Sequence, residues 1–204
     1  MPRDIIAILR GVEPADIGSV CEVLIECGIG IIEVPLNSPD PFKSIEIMAT
    51  RFGQHTLIGA GTVLNIDDVQ RIADVGGQMI VSPNCNPDVI SFTKAKGLRS
   101  YPGVFTPTEC FAALDAGADG LKIFPSFCIG PEGIKAFKAV LPTDVKIYAV
   151  GGVGPDNFAT WLKAGVTGFG IGSGLYTPIL SLDDIQKRAN TLVAAYDRDI
   201  AALS

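Results

Sequence analysis

Six glycines in this chain each stand a few residues ahead of a short apolar run. They are Gly28 before Ile31-Ile32, Gly53 before Leu57-Ile58, Gly76 before Met79-Ile80-Val81, Gly97 before Tyr101, Gly117 before Leu121-Ile123 and Gly165 before Phe169-Ile171. The intervals are 25, 23, 21, 20 and 48 residues, the last being about two periods. Within that long interval Leu141-Pro142-Thr143-Asp144, ahead of Ile147-Tyr148-Ala149-Val150, supplies the missing unit. A glycine that closes a helix in the left-handed conformation, followed by a buried strand, accounts for each repeat. Amphipathic stretches of helical length fill the intervals: Pro14 to Cys27, Phe42 to Phe52, Asn65 to Val75, Pro131 to Val140 and Leu182 to Asp199.

The strands read as Ile5–Leu9, Ile31–Leu36, Thr56–Gly61, Met79–Pro83, Arg99–Val104, Gly120–Pro125, Lys146–Val150 and Gly168–Gly172. Several are apolar throughout, as parallel strands covered on both faces must be. Eight βα units in 204 residues predict an α/β fold, a compact (β/α)8 TIM barrel occupying residues 1–204 as a single domain. A doubly wound open sheet usually has five or six strands and carries a phosphate fingerprint early, and none follows Leu9.

Composition narrows the function. Hydrophobic residues make up 48% and aromatics only 7%, so the core must be mostly aliphatic. No apolar run approaches the roughly 18 to 20 residues of a membrane span. Only five apolar residues follow Met1-Pro2-Arg3-Asp4, too few for a secretory signal. Sixteen Lys and Arg against 22 Asp and Glu give a net charge of −6, which disfavours nucleic acid and anionic membrane as partners. His55 is the one histidine, expected on a surface loop, so neither a Ser-His-Asp triad nor a His-rich metal site can be built, and no metal or cofactor is expected. The five cysteines, Cys21, Cys27, Cys85, Cys110 and Cys128, form no CxxC pair and read as small buried hydrophobes with reduced thiols, which suits the cytoplasm.

In a barrel of this kind chemistry sits at the C-terminal strand ends. Two charges interrupt apolar strands: Glu33 in Ile31-Ile32-Glu33-Val34-Pro35, and Lys122 in Leu121-Lys122-Ile123-Phe124-Pro125. An isolated buried charge is expensive enough to neutralise by shifting its pKa. Either the two form a structural ion pair or reach solvent, or Lys122 is a desolvated amine able to condense with a ketone. Lys43, Lys94, Lys96, Lys135, Lys138, Lys163 and Lys187 fall on predicted helices, and Lys146 opens a strand at the opposite face. Val150-Gly151-Gly152-Val153 and Gly170-Ile171-Gly172-Ser173-Gly174 end the last two strands, where barrels often bind phosphate on backbone N–H groups. Arg10, at the end of strand one, supplies positive charge there or forms a rim salt bridge. Thr62 follows Gly59-Ala60-Gly61, small residues that keep the pocket open, and either caps its strand end or binds a carboxylate or hydroxyl.

Ala7-Ile8-Leu9-Arg10-Gly11, Glu33-Val34-Pro35-Leu36-Asn37-Ser38-Pro39, Ile58 to Leu64, Leu121 to Ser126 and Ala149 to Val153 together resemble one family, in order along essentially the whole chain. It is the class I aldolases acting on 2-keto-3-deoxy-6-phosphogluconate and 4-hydroxy-2-oxoglutarate. The resemblance implies that Lys122 forms a Schiff base and Glu33 shuttles protons. It also implies that Arg10, Thr62, Val150, Gly151, Gly152, Gly172 and Ser173 hold the substrate, with Gly152, Gly172 and Ser173 around its phosphate. Gluconate-type members usually carry an Arg where Asn37 stands and a Thr where Val150 stands. The chain therefore looks closest to the branch acting on 2-keto-3-deoxy-6-phosphogalactonate. That branch yields pyruvate and glyceraldehyde 3-phosphate in galactonate breakdown, and the resemblance further implies a homotrimer without cofactor. Within the family the alternative is the gluconate-type aldolase of the Entner-Doudoroff pathway, and two rivals stay open on the residues alone: a metal-free phosphosugar isomerase or epimerase, and a non-catalytic phosphosugar-binding barrel.

Overall fold

The computed structural model describes residues 3–203. Strands β1 (Ile5–Ile8), β2 (Ile31–Pro35), β3 (Leu57–Gly61), β4 (Met79–Val81), β5 (Arg99–Tyr101), β6 (Gly103–Val104), β7 (Leu121–Ile123), β8 (Ile147–Val150) and β9 (Gly168–Ile171) form one sheet. Helices α1 (Ile17–Glu26), α2 (Pro41–Phe52), α3 (Ile66–Asp74), α4 (Pro87–Ala95), α5 (Pro107–Asp115), α6 (Ser126–Lys138), α7 (Phe158–Ala164) and α8 (Leu182–Ala201) cover it. All pairings are parallel, in the order β5-β4-β3-β2-β1-β9-β8-β7-β6. The eight expected strands become nine because Pro102, which has no N–H to give a ladder, divides the fifth. On one side of it Tyr101 pairs with Val81, on the other Gly103 pairs with Lys122, and the Pro102 carbonyl accepts from the Lys122 N–H at 2.9 Å. The two pieces act as one stave, and the TIM barrel closes through it.

Alternation along the strands separates two apolar layers. Ile5 and Ala7, Ile32 and Val34, Leu121 and Ile123, and Ile147 and Ala149 face outward into the core shared with the helices. Their neighbours Ile6, Ile31 and Tyr148 turn inward, where they meet Met79, Val81 and Tyr101. Tyr101 and Tyr148 meet edge to face at 5.4 Å and form the floor of the barrel interior, and the Tyr148 hydroxyl donates to Asp4 Oδ1 at 2.6 Å. The same alternation sends Glu33 and Lys122, one position on from inward or outward neighbours, into the interior. Lys146 lies at the opposite mouth, 3.7 Å from Asp4.

Five of the six punctuating glycines, Gly28, Gly76, Gly97, Gly117 and Gly165, have positive φ, as a left-handed helix stop requires. Gly53 does not: it ends α2 at φ −61°, and a Cβ there would lie 2.5 Å from the Ala49 carbonyl oxygen. The helix expected from Pro131 is the second part of α6, which kinks at Gly130 after a first turn opened by Ser126. His55 is exposed in a turn, as expected, whereas the cysteines divide. Cys21 and Cys110 are buried, and burial pushes their thiols up to about 12 and about 11. Cys27 and Cys85 are half-buried and Cys128 is exposed, because it falls on the outer side of the first turn of α6.

Phe169 shows how the outer layer is held. It points from β9 onto α7 and α8, stacking on Phe158 at 4.1 Å and meeting Tyr196 edge to face at 6.4 Å. Phe169→Ala is expected to destabilise the fold by about 3–5 kcal/mol, read as a lower urea midpoint with an unchanged m-value.

Candidate active site

A cavity of about 740 Å³ opens at the C-terminal ends of the strands. All nine residues singled out in the sequence, Arg10, Glu33, Thr62, Lys122, Val150, Gly151, Gly152, Gly172 and Ser173, line it, together with Asn37. At its base the inward alternation brings Glu33 of β2 and Lys122 of β7 to the same interior, both buried. Among the described residues neither forms an ion pair within 4.0 Å, so a direct structural salt bridge is not what holds them. Glu33 Oε2 is fully buried without a hydrogen-bond partner.

Electrostatics follow from that placement. Burial pushes the Glu33 carboxyl up to about 7, against the opposite pull of Lys122, Arg10 and a hydrogen bond from the Gly61 N–H. Burial pulls the Lys122 amine down from its usual range; Glu33 acts against this and Arg10 adds to it. Both groups therefore move toward their neutral forms. The Lys122 Nζ also lies 4.8 Å from the centre of the Phe124 ring, a cation–π distance. Phe124 stands in the strand-end motif, but its ring over the amine is visible only in three dimensions.

Gly61, expected to help keep the pocket open, does so at one specific atom group. A Cβ on it would sit 2.2 to 2.4 Å from the Glu33 carboxylate atoms, so the pairing of Pro35 with Gly61 leaves the carboxylate its space only if position 61 is glycine. Next to it, Thr62 is held at φ 59°. A β-branched residue in the left-handed region is strained, and such strain gathers where side chains are aimed for function. Arg10 is exposed at the rim and donates to the Asn37 side-chain oxygen. Among the described residues no carboxylate lies within 4.0 Å of it, which removes the rim salt bridge and leaves its charge for an anion.

The two glycine loops face each other across β8 and β9. Gly151 and Gly152 have φ of +95° and +75°, and a Cβ on Gly152 would meet the Phe127 Cβ at 2.8 Å. Asn157, which the sequence did not flag, clamps this loop. Its Nδ2 donates to the Gly152 carbonyl at 2.9 Å and its Oδ1 accepts from the Gly154 N–H at 3.0 Å. The Ser126 hydroxyl donates to the Gly151 carbonyl at 2.6 Å. The N–H groups of Gly152, Val153, Ser173 and Gly174 make no hydrogen bond to any described residue. Unpartnered amides on glycine-rich loops are suited to phosphate oxygens. Among the described residues no cluster of three or more His, Cys, Asp or Glu could hold a metal ion, and no helix is long and apolar enough to cross a membrane.

A family model described as "KDPG and KHG aldolase" matches residues 2–190. The chain is 53% identical over 197 residues to a "Probable 2-dehydro-3-deoxy-6-phosphogalactonate aldolase" of Rhizobium meliloti (strain 1021), covering 97% of this chain and 93% of that one. It is 45% identical over 192 residues to the "2-dehydro-3-deoxy-6-phosphogalactonate aldolase" of Escherichia coli (strain K12), with 94% of each chain covered. A solved structure described as "Native KDPGal structure" superposes with a TM-score of 0.97 at 43% identity, covering 98% of both chains.

The electrostatic arrangement has a direct test. Carbon-13 NMR of a glutamate-labelled sample is expected to show one carboxyl titrating near 7 that disappears in Glu33→Gln. In Lys122→Met that resonance should titrate higher still, because the positive charge that favours the carboxylate is gone. A Glu33 titration near the ordinary carboxylate range would contradict the burial argument.

Proposed function

The chain belongs to the KDPG and KHG aldolase family, and from that premise we propose that it is a class I aldolase cleaving 2-dehydro-3-deoxy-6-phosphogalactonate to pyruvate and D-glyceraldehyde 3-phosphate. The observation that carries the reading is Lys122, a buried amine lowered in pKa by desolvation and in no ion pair among the described residues, at the base of a cavity rimmed by two glycine loops. Desolvation raises the fraction of neutral, nucleophilic amine. An isomerase would need no such lysine.

In the proposed sequence the Lys122 Nζ attacks the C2 ketone, and loss of water gives a protonated imine. Glu33, directly or through a water, takes the C4 hydroxyl proton as the C3–C4 bond breaks and its electrons flow into the iminium. Glyceraldehyde 3-phosphate leaves. The protonated Glu33 then returns its proton to C3 of the enamine, and hydrolysis frees pyruvate and the Lys122 amine. A group that is first base and then acid works best with a pKa near the working pH, and a value of about 7 suits both halves. Thr62 and Arg10 hold the carboxylate end, and the Gly151-Gly152 and Gly172-Ser173 loops hold the phosphate.

The galactonate assignment is supported by the names of the two relatives and by Asn37 and Val150. Asn37 accepts from Arg10 rather than adding a second cation. Val150 offers only methyl groups to the cavity wall, packed so closely that a Cβ on Gly170 would meet its Cγ2 at 2.7 Å. Val150 thus cannot hydrogen-bond a C4 hydroxyl, which matters because the two sugar acids differ in configuration at C4. The family likeness favours a homotrimer as the working unit, and five unpaired thiols suit the reducing cytoplasm.

Incubation with pyruvate and borohydride should leave a reduced adduct on Lys122, located by peptide mass spectrometry; a folded protein that takes up no label sinks the imine route. Glu33→Gln should still trap pyruvate while turnover falls about 10²- to 10⁴-fold. In the parent enzyme kcat/KM should fall as pH drops below about 7, since a protonated Glu33 cannot accept the C4 hydroxyl proton. That acid limb should vanish in Glu33→Gln. Val150→Thr should shift the ratio of kcat/KM toward the gluconate epimer; an unmoved ratio would detach position 150 from epimer choice.

A further inference from the structure

We propose that Arg188, on α8, is a positioning residue for the phosphate loop that follows β9, a proposal that rests on the placing of the substrate phosphate given above. Its Nη1 donates to the Ser173 carbonyl at 3.0 Å across fifteen residues of sequence. The N-terminus of α8 is itself anchored by Ser181, whose hydroxyl accepts from the Asp184 N–H at 3.2 Å, so the arginine projects from a fixed base.

The consequence lies in peptide geometry. In a trans peptide the carbonyl and the following N–H point in opposite directions. A Ser173 carbonyl drawn toward α8 therefore turns the Gly174 N–H away from α8. Gly174 is a thin wall there: it lines the main cavity on one side and, on the other, a notch of about 200 Å³ shared with Pro155, Lys187 and Arg188. The N–H is thereby directed at the cavity, where it has no partner among the described residues. The guanidinium also polarises the amide it binds, which strengthens that amide as a donor. Among the described residues Arg10 and Lys122 are the cationic side chains lining the cavity, and the proposed sequence commits them to the carboxylate end and the ketone. In a chain of net charge −6, Arg188 thus contributes positive charge to the phosphate from behind the loop without touching it.

The test compares kcat/KM for the phosphorylated substrate with that for its 6-dephospho counterpart. Arg188→Met is expected to lower this ratio about tenfold, mainly through KM for the phosphorylated substrate, the scale of one charge-assisted hydrogen bond. Arg188→Lys, which keeps a cation and a donor, should recover most of the ratio. The proposal is overturned by an unchanged ratio in Arg188→Met, by an equal fall in kcat for both substrates, or by a lysine variant no better than methionine. Gly152→Ala separates the two levels of argument. A ratio lost in Gly152→Ala but kept in Arg188→Met removes only the role of Arg188. A ratio kept in both removes the phosphate from these loops.

Discussion

Two ionisable side chains of opposite sign are buried in one barrel interior without being allowed to pair, and the organisation of the site follows from that constraint. Raising the Glu33 carboxyl from 4.5 to about 7 corresponds to about 3 kcal/mol against its charged form. This cost remains although Lys122, Arg10 and the Gly61 N–H all favour the carboxylate, so desolvation exceeds the sum of all three. A direct salt bridge would have cancelled much of it and left both groups charged and chemically inert. Separation at the base of the cavity instead shifts each toward its neutral form, the form in which an amine can add to a carbonyl and a carboxyl can give a proton.

Holding that state demands support from several strands. The Tyr101–Tyr148 pair seals the interior beneath the two groups, and the inward row of Ile6, Ile31, Met79 and Val81 excludes water around it. Gly61 leaves space for the carboxylate and gives it one backbone donor, while Phe124 lays a ring beside the amine. The far end of the cavity is built on the opposite principle. Its donors are backbone amides exposed to the opening, oriented by side chains that bind the carbonyls behind them: Asn157 and Ser126 for one loop, Arg188 for the other. In the proposed reading an acidic protein holds an anion in this way because fixed amide dipoles replace a cluster of lysines and arginines.

Much of this was legible in the chain. The spacing of Gly28, Gly76, Gly97, Gly117 and Gly165 marks helix ends because only glycine is at ease at positive φ, and the apolar runs behind them have the length and continuity of doubly covered strands. Glu33 and Lys122 stood out because a charge within such a run needs a reason, and the paired glycine loops because their place after the last two strands is where this fold presents amides. The specific partners of Gly61, Asn157 and Arg188 were not legible. In sequence these three are a small residue, a helix-cap residue and one more polar position on a long amphipathic helix. Each acquires its role from a contact across 28, 5 or 15 residues that no local pattern encodes.

The sequence by itself determined the barrel, its strand order along the chain and the two charges its interior has to absorb, because periodicity, glycine punctuation and burial cost are properties of short segments. Tertiary structure decided the splitting of the fifth stave at Pro102, the separation of Lys122 from Glu33 and the direction of the loop amides. These depend on register between strands and on helices packing back over loops, where shifts of a few ångströms decide between a salt bridge and a reactive pair. Local propensity carries no information at that scale.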